Sequence, residues 1–577
     1  MIDRKIKNFI TTFNLNTWTE NKNNIYSGIW SVPYIKQNLI IKKNILTYHW
    51  SNQSKLIKDY SYLKKIYEVS LKNLTTTLNK QHNINLSLKS WRLLLSPWLI
   101  SIISNIFDKY ENLKLATRKH KKYHTKILNY SNKDFISKNY LDYVLNKSSN
   151  DNWHQAIFSD LILEVFYKNF HIKQIDKSVK MSEKVYKFKL SVIDLIKRFI
   201  SPKFFLRKND YFLDSSHVNF LDFVKIMFKI KQLPFYVSSF LETKKLQKNN
   251  LNMNLRKELT KKFNFKSKNN FEKYLKNKII FFLPMSFLEN FQEYQNNARR
   301  FDFNGKKIIS RGAHISNDLY KHWCVIQAQR GAKHYMSFHG GGVPLKDINF
   351  GYEYKIFDKI IVHHKPFEKK QIKLPVLNFN KNYKYDISAK KILLVTKSNV
   401  SKFLFRLDFC PDGSADLDEF LKMIEFAKKV KKVNSENVRF RFLHNTFDYK
   451  KRIGSFKVDE PTNYDESLKN TKIVISSYLN SPFSESLTNG IPSVCLLKKK
   501  KTTFNKKFIP LIKEMEKNKL IFFTPIECAK HINNHYDTIN DWWCSKKVMA
   551  TVNKYRNQVY YVSKNKKIKE WSNFIKP

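Results

Sequence analysis

The sequence predicts an α/β protein: two Rossmann-like domains facing a cleft, behind a largely helical N-terminal extension. Three observations predict it. Short apolar runs at 306–311, 332–338 and 358–364 alternate with a helical pattern at 316–330. A second alternation begins at 391, with apolar runs at 391–396, 438–443, 472–476 and 492–497 and a helical pattern at 416–432. Between the two lies NFNKNYKYDISAK, 378–390, which is polar and patternless. Strands alternating with helices build a parallel sheet covered on its faces. Two such units joined by a linker place a ligand site in the crevice between them.

In chain order, the extension is assigned to residues 1–200, the first Rossmann-like domain to 201–377, and the second, with C-terminal helices, to 391–577. Residues 1–45 read as short strands and turns. Leu56, Tyr60, Leu63, Ile66, Tyr67, Leu74 and Leu78 recur at helical spacing and predict an amphipathic helix over 53–80. A second helix is expected at 89–118, kinked near Pro97. Residues 150–200 also read as helix, and the Lys/Asn-rich stretch 240–278 as exposed. KIIFFLP, 278–284, reads as a short strand. The longest uncharged apolar run, LLLSPWLISIISNIF at 93–107, is short of the roughly 20 residues a membrane span needs. It predicts a core helix, and any membrane contact is expected to be peripheral. Charges interrupt the N-terminal MIDRKIKNFITTFNLNTW, so no signal peptide is expected.

Composition narrows the function classes. With 42% hydrophobic and 15% aromatic residues the chain can bury large cores and is not a disordered protein. The formal charge is +58, from 106 Lys+Arg against 48 Asp+Glu. The basic residues are spread along the whole chain and Lys far outnumbers Arg, which favours compositional drift over a dedicated nucleic-acid face. Attraction to an anionic membrane surface or substrate stays open. The five cysteines, Cys324, Cys410, Cys495, Cys528 and Cys544, are widely spaced, with no C-x-x-C. That predicts reduced thiols in a cytoplasmic setting and neither a disulfide framework nor a zinc site.

Two stretches carry the chemistry. There are only 11 glycines in the chain, yet Gly340, Gly341 and Gly342 follow His339 directly, at the expected end of the 332–338 strand. In open α/β sheets the carboxyl edge of the strands is where ligands bind. Residues without Cβ let backbone N–H groups approach an anion or a sugar closely. His339 would face the crevice as donor or proton carrier. The second stretch is KIVISSYLNSPFSESLTNGIPSV, 472–494. A strand runs into Ser476 and Ser477, and a helix starts near Pro482, with Ser481 and Ser484 at its N-terminus. Free N–H groups and the helix dipole there favour phosphate. Glu485, on the first turn, is placed to accept from ribose hydroxyls. Gly490 is a natural C-cap. DLD at 416–418 reads as helix capping, Asp416 with Glu419, and the His363–His364 pair has no third ligand at metal spacing.

YSGIWSVPY near the N-terminus, LTYHW at 46–50, SWRLLLSPWL at 90–99, NDNWHQ at 150–155, FLPMSFLE at 282–289, NDLYKHWCVIQAQRGAKHYMSFHGGG at 317–342, YEYKIFDK at 352–359 and NSPFSESLTNGIPS at 480–493 belong together. In this order the chain resembles the transferases encoded in bacterial O-antigen and surface-polysaccharide gene clusters. It departs from their usual pattern at Phe338, where a Gln is usual before His-Gly-Gly, and at Trp153-His154, where the usual triplet is Trp-Asn-His. The resemblance implies a GT-B-like fold and kinship with transferases that use CMP-activated ulosonic acids such as Kdo. It implies a carboxylate acting as base or nucleophile, with Asp318 and Glu353 as the candidates beside His339. The expected partners are a nucleotide-activated sugar and a lipid-linked or oligosaccharide acceptor, at the cytoplasmic face of the inner membrane. No metal, no other cofactor and no specific nucleic acid are expected. The rival readings are a glycerol- or ribitol-phosphate transferase on the same scaffold and a non-catalytic protein that binds an anionic ligand.

Overall fold

The computed structural model describes residues 6–18, 21–34, 44–178, 211–214, 218–232, 250–301, 305–338, 340, 349–377, 379, 385–407, 414–461, 463–498, 504–563 and 566–576. It is a mixed α/β structure with three parallel sheets and a helical N-terminal region.

The first sheet is formed by β1 (Lys7–Ile10), β2 (Asn24–Tyr26), β3 (Tyr123–Asn129) and β4 (Phe170–Ser178), in the order β2-β1-β3-β4. The second contains β5 (Tyr211–Leu213), β6 (Lys307–Ser310), β7 (Lys333–Ser337), β8 (Lys359–Val362) and β9 (Gln371–Lys373), in sequential order. The third contains β10 (Lys391–Val395), β11 (Val438–Arg441), β12 (Lys457–Val458), β13 (Thr471–Ser476), β14 (Ser493–Leu496) and β15 (Ile521–Phe522), ordered β12-β11-β10-β13-β14-β15. The order reverses at β10, which pairs with both β11 and β13, so the switch point of the third sheet lies at the carboxyl ends of β10 and β13.

The N-terminal region is built on two long helices, Gln53–His82 and Leu88–Lys119. In the second, every residue from Trp91 to Tyr110 is buried. A helix apolar on all sides belongs inside a core, and this one runs through Pro97 at the centre of the largest hydrophobic cluster. That cluster joins the N-terminal region to one face of the second sheet and takes in Phe403, Leu404 and Leu407 from beyond β10. Asn105 Nδ2 donates to the Leu404 carbonyl at 2.6 Å, and Ser101 Oγ donates to that of Phe405. The opposite face of the second sheet is covered by Phe220–Lys229 and by the C-terminal helix Lys567–Ile575, which crosses back from the third sheet. Trp571 is fully buried there and its indole N–H donates to the Pro375 carbonyl at 2.8 Å. Truncating such a tryptophan costs about 3–5 kcal/mol.

Three expectations are corrected. Residues 278–284 do not form a strand: the helix Asn270–Phe282 covers most of them. Phe271, Tyr274, Leu275, Lys278, Ile279 and Phe282 are buried at helical spacing, and Asn269 caps the start by accepting from the Glu272 N–H. Of the expected helix over 150–200, the described residues form α-helix at Asp151–Glu164 and then a strand, β4, which pairs with β3 from Tyr123↔Phe170 onward, while 179–200 lie outside the described residues. There Phe170 and Ile172 alternate with His171 and Lys173 at the period of a strand. The 240–278 stretch is not simply surface, because Arg256 is fully buried and paired with Glu289 at 2.6 Å.

Candidate functional site

The carboxyl edge of the second sheet is held from below by a histidine. Phe338 N–H bonds to the Ile361 carbonyl at 3.2 Å, just past the end of β7. His363, just past β8, has Nε2 2.7 Å from the Phe338 carbonyl and Nδ1 2.8 Å from the Leu374 carbonyl. Burial pushes its pKa down to about 4, so the ring is neutral and donates to one of the two. One member of the His-His pair therefore fixes the backbone from which the glycine run departs. Among the described residues no group of three or more His, Cys, Asp or Glu could hold a metal ion.

Gly340 is buried. A Cβ built on it would lie 2.2 Å from Ser481 Oγ and 3.6 Å from Ser481 Cβ. Its φ is not in the left-handed region, so glycine is needed here for close approach, not for backbone freedom. This contact brings the carboxyl edge of the second sheet against the third sheet's helix start, and makes the two motifs one place. His339, Gly341 and Gly342 lie outside the described residues.

Ser481 opens the helix Ser481–Thr488. The N-cap, Asn480, makes no side-chain capping bond, and Pro482 has no N–H to satisfy, so among the described residues its side chain leaves the positive end of the helix dipole uncapped. Glu485 is half-buried, and burial, followed by the nearby charge of Asp465, pushes its pKa from 4.5 up to about 8. At neutral pH it is a protonated carboxyl that both donates and accepts, which suits a pair of vicinal hydroxyls. Tyr464 anchors the same turn, its hydroxyl donating to the Pro482 carbonyl at 3.0 Å.

The other predicted serines serve the framework. Ser476 Oγ donates to the Tyr478 carbonyl at 2.7 Å, and Ser477 Oγ accepts from the Lys397 N–H at 3.0 Å, tying β13 to the chain beyond β10. Ser484 is buried and its hydroxyl meets Tyr555 Oη at 2.8 Å. Asp416 pairs with Lys397 at 3.1 Å and Asp418 with Lys498 at 2.9 Å, so the DLD carboxylates are held apart by separate lysines.

Asp318 and Glu353 are interior residues. Asn317, not Asp318, caps the helix Asp318–Gln329. Asp318 Oδ2 accepts from Tyr140 N–H at 3.0 Å and Ser286 Oγ at 2.6 Å, and Oδ1 pairs with Lys321 at 2.6 Å. Its partners come from its own helix, from the N-terminal region and from the 285–287 turn, not from the Gly340–Ser481 contact. Glu353 opens the short helix Glu353–Ile356 and is buried. Tyr140 is electrostatically coupled to Arg406 and Asp318, and Tyr352 to Glu353, Tyr140 and Arg406. The two carboxylates thus flank one cluster of buried tyrosines and the half-buried Arg406.

Sequence reasoning missed Arg311. It follows β6 directly at the carboxyl edge of the second sheet and is fully buried. The available signal was its place at the end of the KKIISR run.

The model of the LIC12162 family transferases matches residues 7–575, nearly the whole chain. The chain belongs to this transferase family. No curated protein matches the chain significantly. Among solved structures, the spinosyn forosaminyltransferase SpnP is similar at 12% identity over 48% of this chain and 75% of that one, with a TM-score of 0.25. Like that of any family member, the activity must be worked out from a site on the fold. Among the described residues no helix is long and apolar enough to cross a membrane.

Proposed function

We propose that this transferase is a GT-B-like glycosyltransferase of bacterial surface-polysaccharide assembly, with a CMP-activated, Kdo-like ulosonic acid as donor and a lipid-linked or oligosaccharide glycan as acceptor. The observation that carries the reading is the Gly340–Ser481 contact, which joins the carboxyl edge of the second sheet to a helix N-terminus. The nucleotide phosphate sits on the uncapped start of Ser481–Thr488, and the Glu485 carboxyl takes the ribose hydroxyls. His339 adjoins Gly340 in sequence and carries the proton at the reacting centre. Glu353 and Asp318 hold the charge of the cluster beneath, Asp318 through its ion pair with Lys321. The reaction breaks the donor's bond between anomeric carbon and phosphate, forms a bond to an acceptor hydroxyl oxygen, and moves that hydroxyl's proton to the enzyme. CMP departs with the bonding electron pair, and no metal is assigned to the step.

The test is release of CMP from a CMP-activated ulosonic acid in the presence of a glycan acceptor. The wild type is expected to turn over and His339→Ala to lose most turnover while still binding CMP. An active His339→Ala enzyme removes the histidine from the mechanism. Release of cytidine nucleotide only from CDP-glycerol or CDP-ribitol makes the protein a polyol-phosphate transferase.

A further inference from the structure

Arg256 and Arg311 are both fully buried, and they are opposites. Arg256 donates from Nε and Nη2 to Glu289 at 2.7 and 2.6 Å, and from Nη1 to the carbonyls of Ile280 and Leu283 at 2.7 Å each. That is how a protein interior accepts a guanidinium. Among the described residues, Arg311 has no hydrogen-bond partner on Nε, Nη1 or Nη2. Asp214, whose negative charge acts on Arg311, uses Oδ2 to accept from the backbone N–H groups of Arg311, Gly312 and Ala313 at 2.9, 3.0 and 3.0 Å. Burial lowers the Arg311 pKa only to about 10, so the side chain stays charged at neutral pH.

A buried guanidinium with no hydrogen bond to any of its nitrogens is an unfavourable arrangement in a protein. About 90% or more of buried polar groups in native structures are satisfied, and an exception needs an explanation, of which a bound water, ion or ligand is one kind. The position says which kind. Arg311 stands at the carboxyl end of β6, on the same sheet edge as Gly340. Its guanidinium carbon is 5.8 Å from the Trp571 ring, which walls one side. Tyr560 Oη, also without a hydrogen-bond partner among the described residues, interacts electrostatically with both Arg311 and Glu485. The unpaired donors therefore lie between the second sheet's edge and the helix that carries Glu485.

We propose that Arg311 is the oxyanion receiver of this crevice, its planar fork taking one phosphate or carboxylate group of the activated donor through two parallel hydrogen bonds, with Tyr560 Oη as a third donor. A guanidinium matches a two-oxygen anion in a way an ammonium does not. The edges touch at Gly340 and Ser481, so the anion enters when they part and is enclosed when they meet. The identity of the anion as part of a sugar donor rests on the transferase reading; its charge and geometry do not.

Thermal unfolding of the wild type, Arg311→Met and Arg311→Lys tests this, each with inorganic phosphate, CMP, free Kdo and uncharged glucose. The wild type is expected to melt higher with phosphate and CMP if the group is the nucleotide phosphate, or with Kdo if it is the sugar carboxylate, and not with glucose. Without ligand, Arg311→Met is expected to melt at or above the wild-type temperature, because a buried guanidinium with no hydrogen bonds is gone. Its affinity for the effective anion should fall about 100-fold, and that of Arg311→Lys about 10-fold. A wild type that responds to no anion overturns the proposal. So does an Arg311→Met protein that melts lower, or fails to fold, while Arg311→Lys keeps the full anion response, for then the arginine is structural. If both variants release CMP from the activated donor as the wild type does, the transferase reading stands and this one fails. If the anions act through Arg311 and no sugar nucleotide is turned over, the receiver stands and the donor assignment fails.

Discussion

Replacing Gly340 with alanine adds one methyl group at a point where the structure leaves no room for it. The new Cβ would sit 2.2 Å from Ser481 Oγ, far inside any real contact, and 3.6 Å from Ser481 Cβ, an ordinary one. The clash is therefore with a single hydroxyl oxygen. Either that hydroxyl turns to another rotamer, at about 1 kcal/mol, or the two sheet edges separate, and overpacking of that kind costs about 1–3 kcal/mol. The backbone itself does not resist, because Gly340 has no positive φ, and losing glycine's freedom in the unfolded chain would stabilise by about 0.4–1 kcal/mol. In a Ser481→Ala background the offending oxygen is absent and Gly340→Ala should be neutral or slightly stabilising. Urea unfolding of the four proteins of this cycle is expected to give a coupling energy of about 1–3 kcal/mol. A coupling below about 0.3 kcal/mol, the scatter of independent sites, would refute the contact and with it the joining of the two motifs.

Glu485 makes stability depend on pH. Its carboxyl has a folded pKa of about 8 against 4.5 when exposed, so the folded state holds the proton more tightly. The penalty is absent below pH 4.5, grows as pH rises, and is complete above about pH 8. At about 1.4 kcal/mol per pH unit the limit is about 5 kcal/mol. Glu485→Gln should therefore flatten stability between those values and melt higher than wild type at pH 9; equal melting at both ends would show that the carboxyl ionises freely. Asp318→Asn breaks an ion pair whose partners are 1% and 0% exposed, and should destabilise by about 3–5 kcal/mol by urea unfolding. A fully stable but inactive Asp318→Asn would instead return that carboxylate to the chemistry.

The alternation around the second and third sheets was legible because β6, β7, β8, β10, β13 and β14 are short runs of branched and aromatic residues between turns and helices. The first sheet was harder to read. β1 and β2 are 4 and 3 residues long, and β4 pairs along an exposed edge with little apolar content. The 278–284 run was misread because it is the wholly buried end of a helix whose exposed Lys273 and Asn277 lie before it, so the run alone has no polar face to reveal its period. In the site, the glycine run and the Ser-rich helix start stood out from composition and position alone. That Gly340 meets Ser481 could not be read, because the contact crosses two sheets. Arg311 was missed for a related reason: its place at the end of the KKIISR run could be read, but that its guanidinium has no hydrogen-bond partner among the described residues is a property of three dimensions.

The central claim is that two sheet edges form one nucleotide site. A thermal-shift series with CMP, UDP, GDP and CDP, run on the wild type and on Glu485→Ala, tests it most directly. CMP should raise the wild-type melting temperature above the other three, with about 2.7 kcal/mol of stabilisation at 100-fold excess over Kd, and Glu485→Ala should lose most of that shift. No response to any nucleotide, or a Glu485→Ala protein that responds to CMP as the wild type does, would contradict it.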